Sequence, residues 1–128
     1  MKLLLDTHAL LWFLAGSARL GAAALLAIND PANEVWLSPM SLVEIALKVR
    51  INKLRLTAPF GVMFPAWLTV NGIRLWPVEA AHAAALATLP LHHRDPFDRL
   101  IAATALVEGL TLVSADTAFD AYGLTRLW

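Results

Sequence analysis

The sequence contains no cysteine, and this absence excludes several classes of chemistry. Disulfide bridges, thiolate nucleophiles and zinc sites built from cysteine cannot occur in this chain. Stability must therefore come from packing, and 59% hydrophobic residues in a chain of 128 supply enough material for one core. We expect a single domain over residues 1–128. A chain without cysteine also fits a reducing cytoplasm, which is where we expect the protein.

An excess of charge of either sign is also absent, because ten acidic residues balance ten basic ones. No overall positive field attracts nucleic acid, so any binding of a polyanion must depend on local clusters.

Long uninterrupted hydrophobic runs are missing as well. Residues 56–73 carry no charge, but two prolines, two glycines and an asparagine interrupt them. The N-terminal leucines end at Asp6, too early for a signal peptide, and we expect no membrane segment.

Short apolar runs alternate with helical patterns along the chain. The runs predict strands at residues 2–5, 34–37, 73–78, 110–114 and 126–128. Between them, apolar spacing and capping signals predict helices at residues 7–16, 18–29 after Ser17, 39–51 after Ser38, 60–71, 79–89, 96–109 after Asp95, and 117–121. Near-continuously apolar strands separated by helices are typical of a parallel sheet covered on both faces. We predict an α/β fold, a three-layer α/β/α domain with a central parallel sheet.

Four acidic residues fall where this fold would bring them together. Asp6 follows the first strand, Asp116 follows the fourth, Glu44 lies on the helix after the second, and Asp98 lies in the first turn of the helix before the fourth. Ligands of open parallel sheets bind outside the carboxyl ends of the strands. We therefore expect these four carboxylates at one edge of the sheet.

Each acid also has a local explanation. Asp6 and Asp116 could cap the helices that follow them, and Asp95 with Asp98 has the spacing of a capping box. Glu44 could belong to a solvated helix stripe with an ion pair to Lys48, four residues later. What favours a site is the joint placement, because neighbouring carboxylates repel one another unless cations neutralise them. Mg²⁺ or Mn²⁺ suits such oxygen ligands, and the pattern indicates metal-dependent phosphoryl chemistry.

Four stretches together resemble one family of enzymes. The segments "LLLDTHALLW", "SPMSLVEIALKVRINKL", "LPLHHRDPFDRLIAATAL" and "LTLVSAD" are similar, in this order, to those of the PIN-domain ribonucleases, in particular the VapC toxins of bacterial toxin–antitoxin pairs. The resemblance implies a PIN-like α/β/α fold and an Mg²⁺- or Mn²⁺-dependent endoribonuclease that acts on RNA. It also implies neutralisation by a cognate antitoxin, and we expect the toxin to be a homodimer.

The resemblance also assigns roles to the acids. Matched by position, the acidic residues of the family correspond to Asp6, Glu44, Asp98 and Asp116. In that frame Asp6 and Asp98 are the principal metal ligands, directly or through water, and Glu44 orients a metal-bound water or accepts its proton. Asp116 would act through a second ion. Asp95 remains a helix cap or a neighbour of the ligands.

Several further residues have two interpretations each. Thr7 and Ser114 could hydrogen-bond metal-bound waters or be ordinary turn hydroxyls. Arg99, the preferred candidate, and Arg94 could clamp substrate phosphate or balance the acids. The basic residues of 48–55 could form a phosphate-contacting rim or a solvated helix end. The pair His92 and His93 is weak evidence for zinc because no further ligand has metal spacing. The five tryptophans fit a core better than a base-stacking surface, although some could anchor a partner such as the antitoxin.

Two functions of other classes remain open at this point. A receiver-like regulator would also bind Mg²⁺ in an acidic pocket, but it needs adjacent acids after the first strand, and Thr7 follows Asp6 here. A protein-interaction module without catalysis would bind an antitoxin-like partner and cleave no RNA.

Overall fold

The computed structural model describes residues 1–128, which form five strands, seven α-helices and one 3₁₀ helix. The strands are β1 (Lys2–Leu5), β2 (Glu34–Leu37), β3 (Ile73–Leu75), β4 (Thr111–Val113) and β5 (Arg126–Leu127). The helices are α1 (Thr7–Leu14), α2 (Ala22–Asn29), α3 (Pro39–Arg50), α4 (Phe60–Met63), α5 (Ala66–Val70), α6 (Ala80–Thr88) and α7 (Pro96–Glu108), with the 3₁₀ helix at Thr117–Tyr122. None of the helices combines the length and hydropathy that a membrane crossing requires.

The five strands form one parallel sheet in the order β3-β2-β1-β4-β5. Leu3 of the central strand is in register with Val35 of β2 on one side and with Thr111 of β4 on the other. The order reverses direction between β1 and β4. This is the topological switch point, where the connecting helices diverge and open α/β sheets bind their ligands.

Alternate residues of β1 point into the two halves of the core. Leu3 and Leu5 belong to a cluster on the side of α1 to α5, whereas Leu4 belongs to a second cluster with Ile101 of α7 and Phe119. All three leucines are fully buried, as expected of a strand covered on both faces. The predicted three-layer α/β/α fold is therefore confirmed.

Two helix starts follow the capping signals of the sequence. Ser38 accepts the N–H of Met40 through its hydroxyl, and Pro39 occupies the first position of α3. Asp95 accepts the N–H of Phe97, and α7 then ends at Gly109 in the left-handed conformation with φ of 65°. These caps fix where the helices that carry Glu44 and Asp98 begin.

Two helix predictions were wrong in extent. The hydroxyl of Ser17 accepts the N–H of Arg19 within a turn, and α2 begins only at Ala22 after Gly21. The helix predicted over residues 60–71 is two short helices, because Pro65 has no N–H for the helical ladder and separates α4 from α5. Neither change moves an acid of the site.

The pair of helices α6 and α7 is held by polar bonds as well as packing. His82 is fully buried in α6, its Nδ1 accepts the Glu79 N–H at 3.0 Å, and its Nε2 lies 2.7 Å from Oε1 of Glu108. This ties the start of α6 to the end of α7 and so fixes the helix that presents Asp98.

Candidate active site

Asp6 lies where β1 leaves the sheet. Its backbone N–H still donates to the Val113 carbonyl at 3.1 Å, which holds the residue between the ends of β1 and β4. One carboxylate oxygen, Oδ1, accepts the Ala9 N–H at 2.7 Å and caps α1. The side chain is buried, with 6% exposed. The cap interpretation is thus confirmed, but the cap uses only one of the two carboxylate oxygens.

The surroundings of Asp6 disfavour its charged form. Burial raises its pKa above the ordinary value, although hydrogen bonds from the Ser114 side chain and the Ala9 N–H lower it. The nearby carboxylate of Asp116 raises it further by repulsion. Ser114 is fully buried at the end of β4. These residues form one wall of an acidic site at the switch point of the sheet.

Glu44 enters the site from α3 and has both carboxylate oxygens bonded. The Thr7 hydroxyl donates to Oε1 at 2.5 Å, and Lys48 Nζ donates to Oε2 at 2.6 Å. The hydroxyl of Ser41 lies 3.1 Å from that of Thr7. The predicted ion pair with Lys48 is therefore present, but the solvated stripe is wrong because Glu44 is only 3% exposed.

Asp98 lies in the first turn of α7 and has the most perturbed carboxyl of the site. Burial first, and then repulsion from the carboxylates of Asp95, Glu44 and Asp6, raise its pKa to about 6, although His93 lowers it. No hydrogen bond from a protein group offsets the shift. Asp98 therefore interacts electrostatically with Asp6 and Glu44. The capping box is not formed, because Asp95 accepts from the Phe97 N–H and not from that of Asp98.

Asp116 completes the group as the N-cap of the 3₁₀ helix. Its Oδ1 accepts the Ala118 N–H at 2.9 Å, and its Oδ2 lies 2.8 Å from Nε2 of His93. Although partial burial raises the pKa, the bonds from His93 and Ala118 lower it more, so the Asp116 carboxyl stays below its usual range. Its amide donates to the Ser114 hydroxyl at 3.0 Å.

Two residues of this network were not predicted as site members. Lys48 was considered as an ion-pair partner and as part of a basic rim, yet its pKa is raised first by the bond to Glu44 and also by the charges of Asp95 and Asp98. His93 was considered as a zinc ligand, whereas its ring contacts Asp116 and Tyr122. A histidine and a lysine near acids in the sequence are the signal, but only the fold reveals the partners.

Arg99, a candidate for clamping substrate phosphate or balancing the acids, has its guanidinium bonded to backbone carbonyls. Its guanidinium donates to the carbonyls of Leu86, Leu89 and Pro90 at 3.4, 3.2 and 3.1 Å. These carbonyls form the carboxyl end of α6 and the turn after it. A substrate phosphate would have to displace these bonds, which indicates a structural role for the residue.

The acidic group suits a divalent ion by the chemistry of its donors. No three of the chain's histidine, aspartate and glutamate side chains form a ready ligand set at metal distances. However, Asp6 interacts electrostatically with both Asp116 and Asp98, and Asp98 also interacts with Glu44. The pKa values of Asp6 and Asp98 are raised. Hard cations such as Mg²⁺ take few protein ligands and keep several waters, so the oxygens present fit such an ion.

A five-stranded parallel sheet with acids gathered at its switch point defines the class of protein. The PIN domain family matches residues 3–124, so this chain belongs to the PIN-domain family, and within it to the VapC ribonucleases. It is similar to Ribonuclease VapC22 of Mycobacterium tuberculosis, with 35% identity over 119 residues, which span 88% of this chain and 85% of the relative.

Solved structures support the fold. VapBC2 from Rickettsia felis, bound to a DNA fragment from its promoter, matches with a TM-score of 0.70 and 19% identity over 99% of this chain and 98% of that one. VapBC-1 from nontypeable Haemophilus influenzae matches with a TM-score of 0.68 and 15% identity over 99% and 97%. FitAcB from Neisseria gonorrhoeae matches with a TM-score of 0.66 and 20% identity over 98% and 96%.

The same findings decide against the receiver-like alternative. Receiver domains have the strand order 2-1-3-4-5, whereas this sheet has β3-β2-β1-β4-β5. The position after β1 that would hold a second acid is Thr7, whose hydroxyl donates to Glu44.

Proposed function

We propose that this chain is the endoribonuclease toxin of a toxin–antitoxin pair and that it hydrolyses RNA phosphodiester bonds with Mg²⁺ or Mn²⁺. The observation that carries the proposal is the convergence of Asp6, Glu44, Asp98 and Asp116 at the switch point of a PIN fold. Family membership and the 35% identity to a ribonuclease support it.

The acids have distinct roles in this proposal. Asp6 and Asp98 hold the ion, directly or through water. Burial and repulsion from neighbouring carboxylates raise the pKa of both carboxyls, and a bound cation would offset that repulsion. When bound, the ion would activate a water and stabilise the charge that develops on the phosphate. Thr7 and Lys48 hold the two oxygens of Glu44 so that this carboxylate orients the attacking water. Asp116 lies beside Asp6, in the wall of the site that these two residues form with Ser114.

Exposed basic side chains in two connecting segments are candidates for contacts with the RNA backbone. Lys53 and Arg55 are exposed on the loop that follows α3, and Arg94 is exposed in the turn before α7. Contacts of this kind position a polynucleotide without reading its sequence. They supply the local positive charge that the neutral chain lacks overall.

The decisive experiment replaces single carboxylates by the isosteric amide. Asp6→Asn and Asp98→Asn should each abolish RNA cleavage and growth inhibition while the proteins remain folded. Asp30→Asn is the matched control, since Asp30 is exposed and caps a turn away from the site. EDTA should abolish cleavage by the parent protein, and excess Mn²⁺ should restore it. Cleavage retained in both site variants would reject the assignment, and a parent that binds its partner but cuts no RNA would favour an interaction module.

A groove beside α1 is suited to the antitoxin. It has a volume of about 380 Å³, and its walls include Leu11, Trp12 and Met63, with Arg19 and Arg55 at the rim. We propose that it receives an apolar antitoxin segment with an acidic group. Ala15→Arg would fill the groove and should weaken binding of the cognate antitoxin, whereas Ala84→Arg, at an exposed position of α6, should not. Equal binding by both variants would place the antitoxin elsewhere.

We also propose a homodimer, which forms through the outer face of α3. Val43, Leu47 and Ile51 are 41%, 54% and 59% exposed and lie four residues apart, so they form one apolar stripe. Leu47→Glu should convert the dimer to a monomer in light scattering. Leu26→Glu on α2 is the matched control, because Leu26 is also exposed.

The proposed location of the protein is the cytoplasm, where its RNA substrate would be available.

A further inference from the structure

His93 connects two parts of the acidic site that come from distant parts of the chain. It lies in the segment between α6 and α7, just before Asp95, and its Nε2 lies 2.8 Å from Oδ2 of Asp116 beyond β4. The side chain is 8% exposed. Its ring lies 4.3 Å from the ring of Phe119 and is stacked at 5.5 Å on the ring of Tyr122, between centroids. The imidazole is therefore held on two sides by aromatic rings.

The hydrogen bonds around His93 fix the orientation of its ring. The backbone N–H of His93 donates to the Tyr122 hydroxyl oxygen at 3.0 Å, and that oxygen is also 3.0 Å from Nδ1 of the ring. Because a carboxylate oxygen only accepts, the proton on Nε2 donates to Asp116. Both ring nitrogens therefore have a hydrogen-bond partner.

Both oxygens of Asp116 are fixed as a result. Oδ1 accepts the Ala118 N–H and Oδ2 accepts from His93, so the carboxylate cannot rotate away from the wall that it shares with Asp6. Asp116 is exposed and follows a short loop, so without His93 only the cap would restrain it. Partners of this kind behind a metal-site carboxylate set its orientation and basicity.

We infer that His93 is a positioning residue that, supported by Tyr122, fixes Asp116 for service in the metal site. The inference rests on the proposed function, since it presumes that the acids bind a divalent ion. It assigns no metal contact to His93 itself. The histidine acts only through the carboxylate that it holds.

The test measures Mn²⁺ affinity of the full-length protein by electron paramagnetic resonance, alongside RNA cleavage. His93→Ala should weaken Mn²⁺ binding by about ten- to a hundred-fold, the usual effect of losing such a partner. His93→Gln should recover much of it, because the Gln side-chain amide can also donate to Asp116. Tyr122→Phe should cause a smaller loss. His92→Ala is the matched control, since His92 also packs against Tyr122 but makes no side-chain hydrogen bond.

A double-mutant cycle separates positioning from a general loss of structure. If His93 acts through Asp116, His93→Ala should cost little or nothing further in an Asp116→Asn background. Additive losses, a loss equal to that of His92→Ala, or no rescue by His93→Gln would each overturn the inference. Asp98→Asn reports on the proposed function separately: if it leaves Mn²⁺ affinity unchanged, the metal site itself is wrong, whatever His93 does.

Discussion

The Nζ atom of Lys48 lies 2.6 Å from Oε2 of Glu44, so a buried carboxylate is paired with a lysine one helical turn later. The lysine side chain is 37% exposed, whereas that of the glutamate is 3% exposed. The pair therefore brings a positive charge to the rim of an acidic site. Because that charge also acts on Asp95 and Asp98, Lys48 partly neutralises the cluster when no metal is present.

Lys48→Met should reveal this role. Glu44 would lose a charged donor and remain buried beside other acids, so the free energy of unfolding should fall by about 2 kcal/mol in EDTA. Saturating Mn²⁺ should stabilise this variant more than the parent protein, as urea unfolding would measure. Lys53→Met, at an exposed lysine without an ion pair, is the control. Equal stability of the two variants would contradict the role.

Metal binding should depend on pH through Asp98. Its pKa of about 6 means that protons compete with a divalent ion for this carboxylate over the range in which many assays are run. Mn²⁺ affinity of the parent protein should be constant above about pH 7 and fall steeply below about pH 6. Asp116→Asn should keep this dependence, since its own pKa is low. An affinity that does not vary with pH would exclude Asp98 as a ligand.

In the absence of metal, the raised pKa of Asp98 also determines how the free energy of unfolding changes with pH. Folded Asp98 holds its proton more tightly than the unfolded chain does, so its favourable contribution is complete below about pH 4 and is lost as the pH rises through about 6. Asp98→Asn should thus be about 1 kcal/mol more stable than the parent at neutral pH in EDTA, after allowance for its partial exposure. The two proteins should converge in stability near pH 4. If Asp98→Asn were less stable than the parent at neutral pH, this prediction would be wrong.

Arg99 in α7 and Arg94 in the turn before it should behave differently when substituted. Arg99→Gln would remove the bonds to the end of α6, and unfolding should become easier by about 2 kcal/mol with little change in KM for RNA. Arg94→Gln removes an exposed guanidinium without such bonds, so it should raise KM and leave stability unchanged. Thermal unfolding and initial-rate measurements distinguish the two. A raised KM for Arg99→Gln at unchanged stability would restore its predicted phosphate role.

Gly21 should not tolerate a side chain. An added Cβ would lie 2.7 Å from the backbone carbon of Trp128, whose ring packs edge-on against Trp12. Gly21→Ala should therefore displace the C-terminal residue and cost about 2 kcal/mol. In Gly61→Ala the new methyl meets no atom within 4 Å, and alanine is the better helix former, so stability should stay or rise. Tryptophan fluorescence during unfolding measures the stability of both variants. Equal stability would disprove the close contact between Gly21 and Trp128.

Local signals were sufficient for most of the fold. The strands at Lys2–Leu5 and Glu34–Leu37 and the starts of α3 and α7 follow from apolar runs and from Ser-Pro and Asp-Pro caps, which act over a few residues. Ser17 failed as a helix cap because its hydroxyl satisfies a turn at Arg19 instead. The helix over residues 60–71 failed because Pro65 interrupts the ladder of hydrogen bonds within it.

The site was predictable in its acids and not in their partners. Acids that follow strands or begin helices at one sheet edge can be located from topology alone. The bond between His93 and Asp116 joins positions on either side of α7 and β4, and Arg99 contacts the end of α6 across a turn. Such bonds depend on how the helices pack, and no periodicity in the sequence encodes them.

The placement of β1 between β2 and β4 has a consequence for how the site can form. Asp6 is synthesised first, yet the wall that it shares with Asp116 closes only when β4 and the residues after it pair beside β1. The acidic wall therefore needs residues that are far apart in the order of synthesis, and it cannot form from the first half of the domain alone.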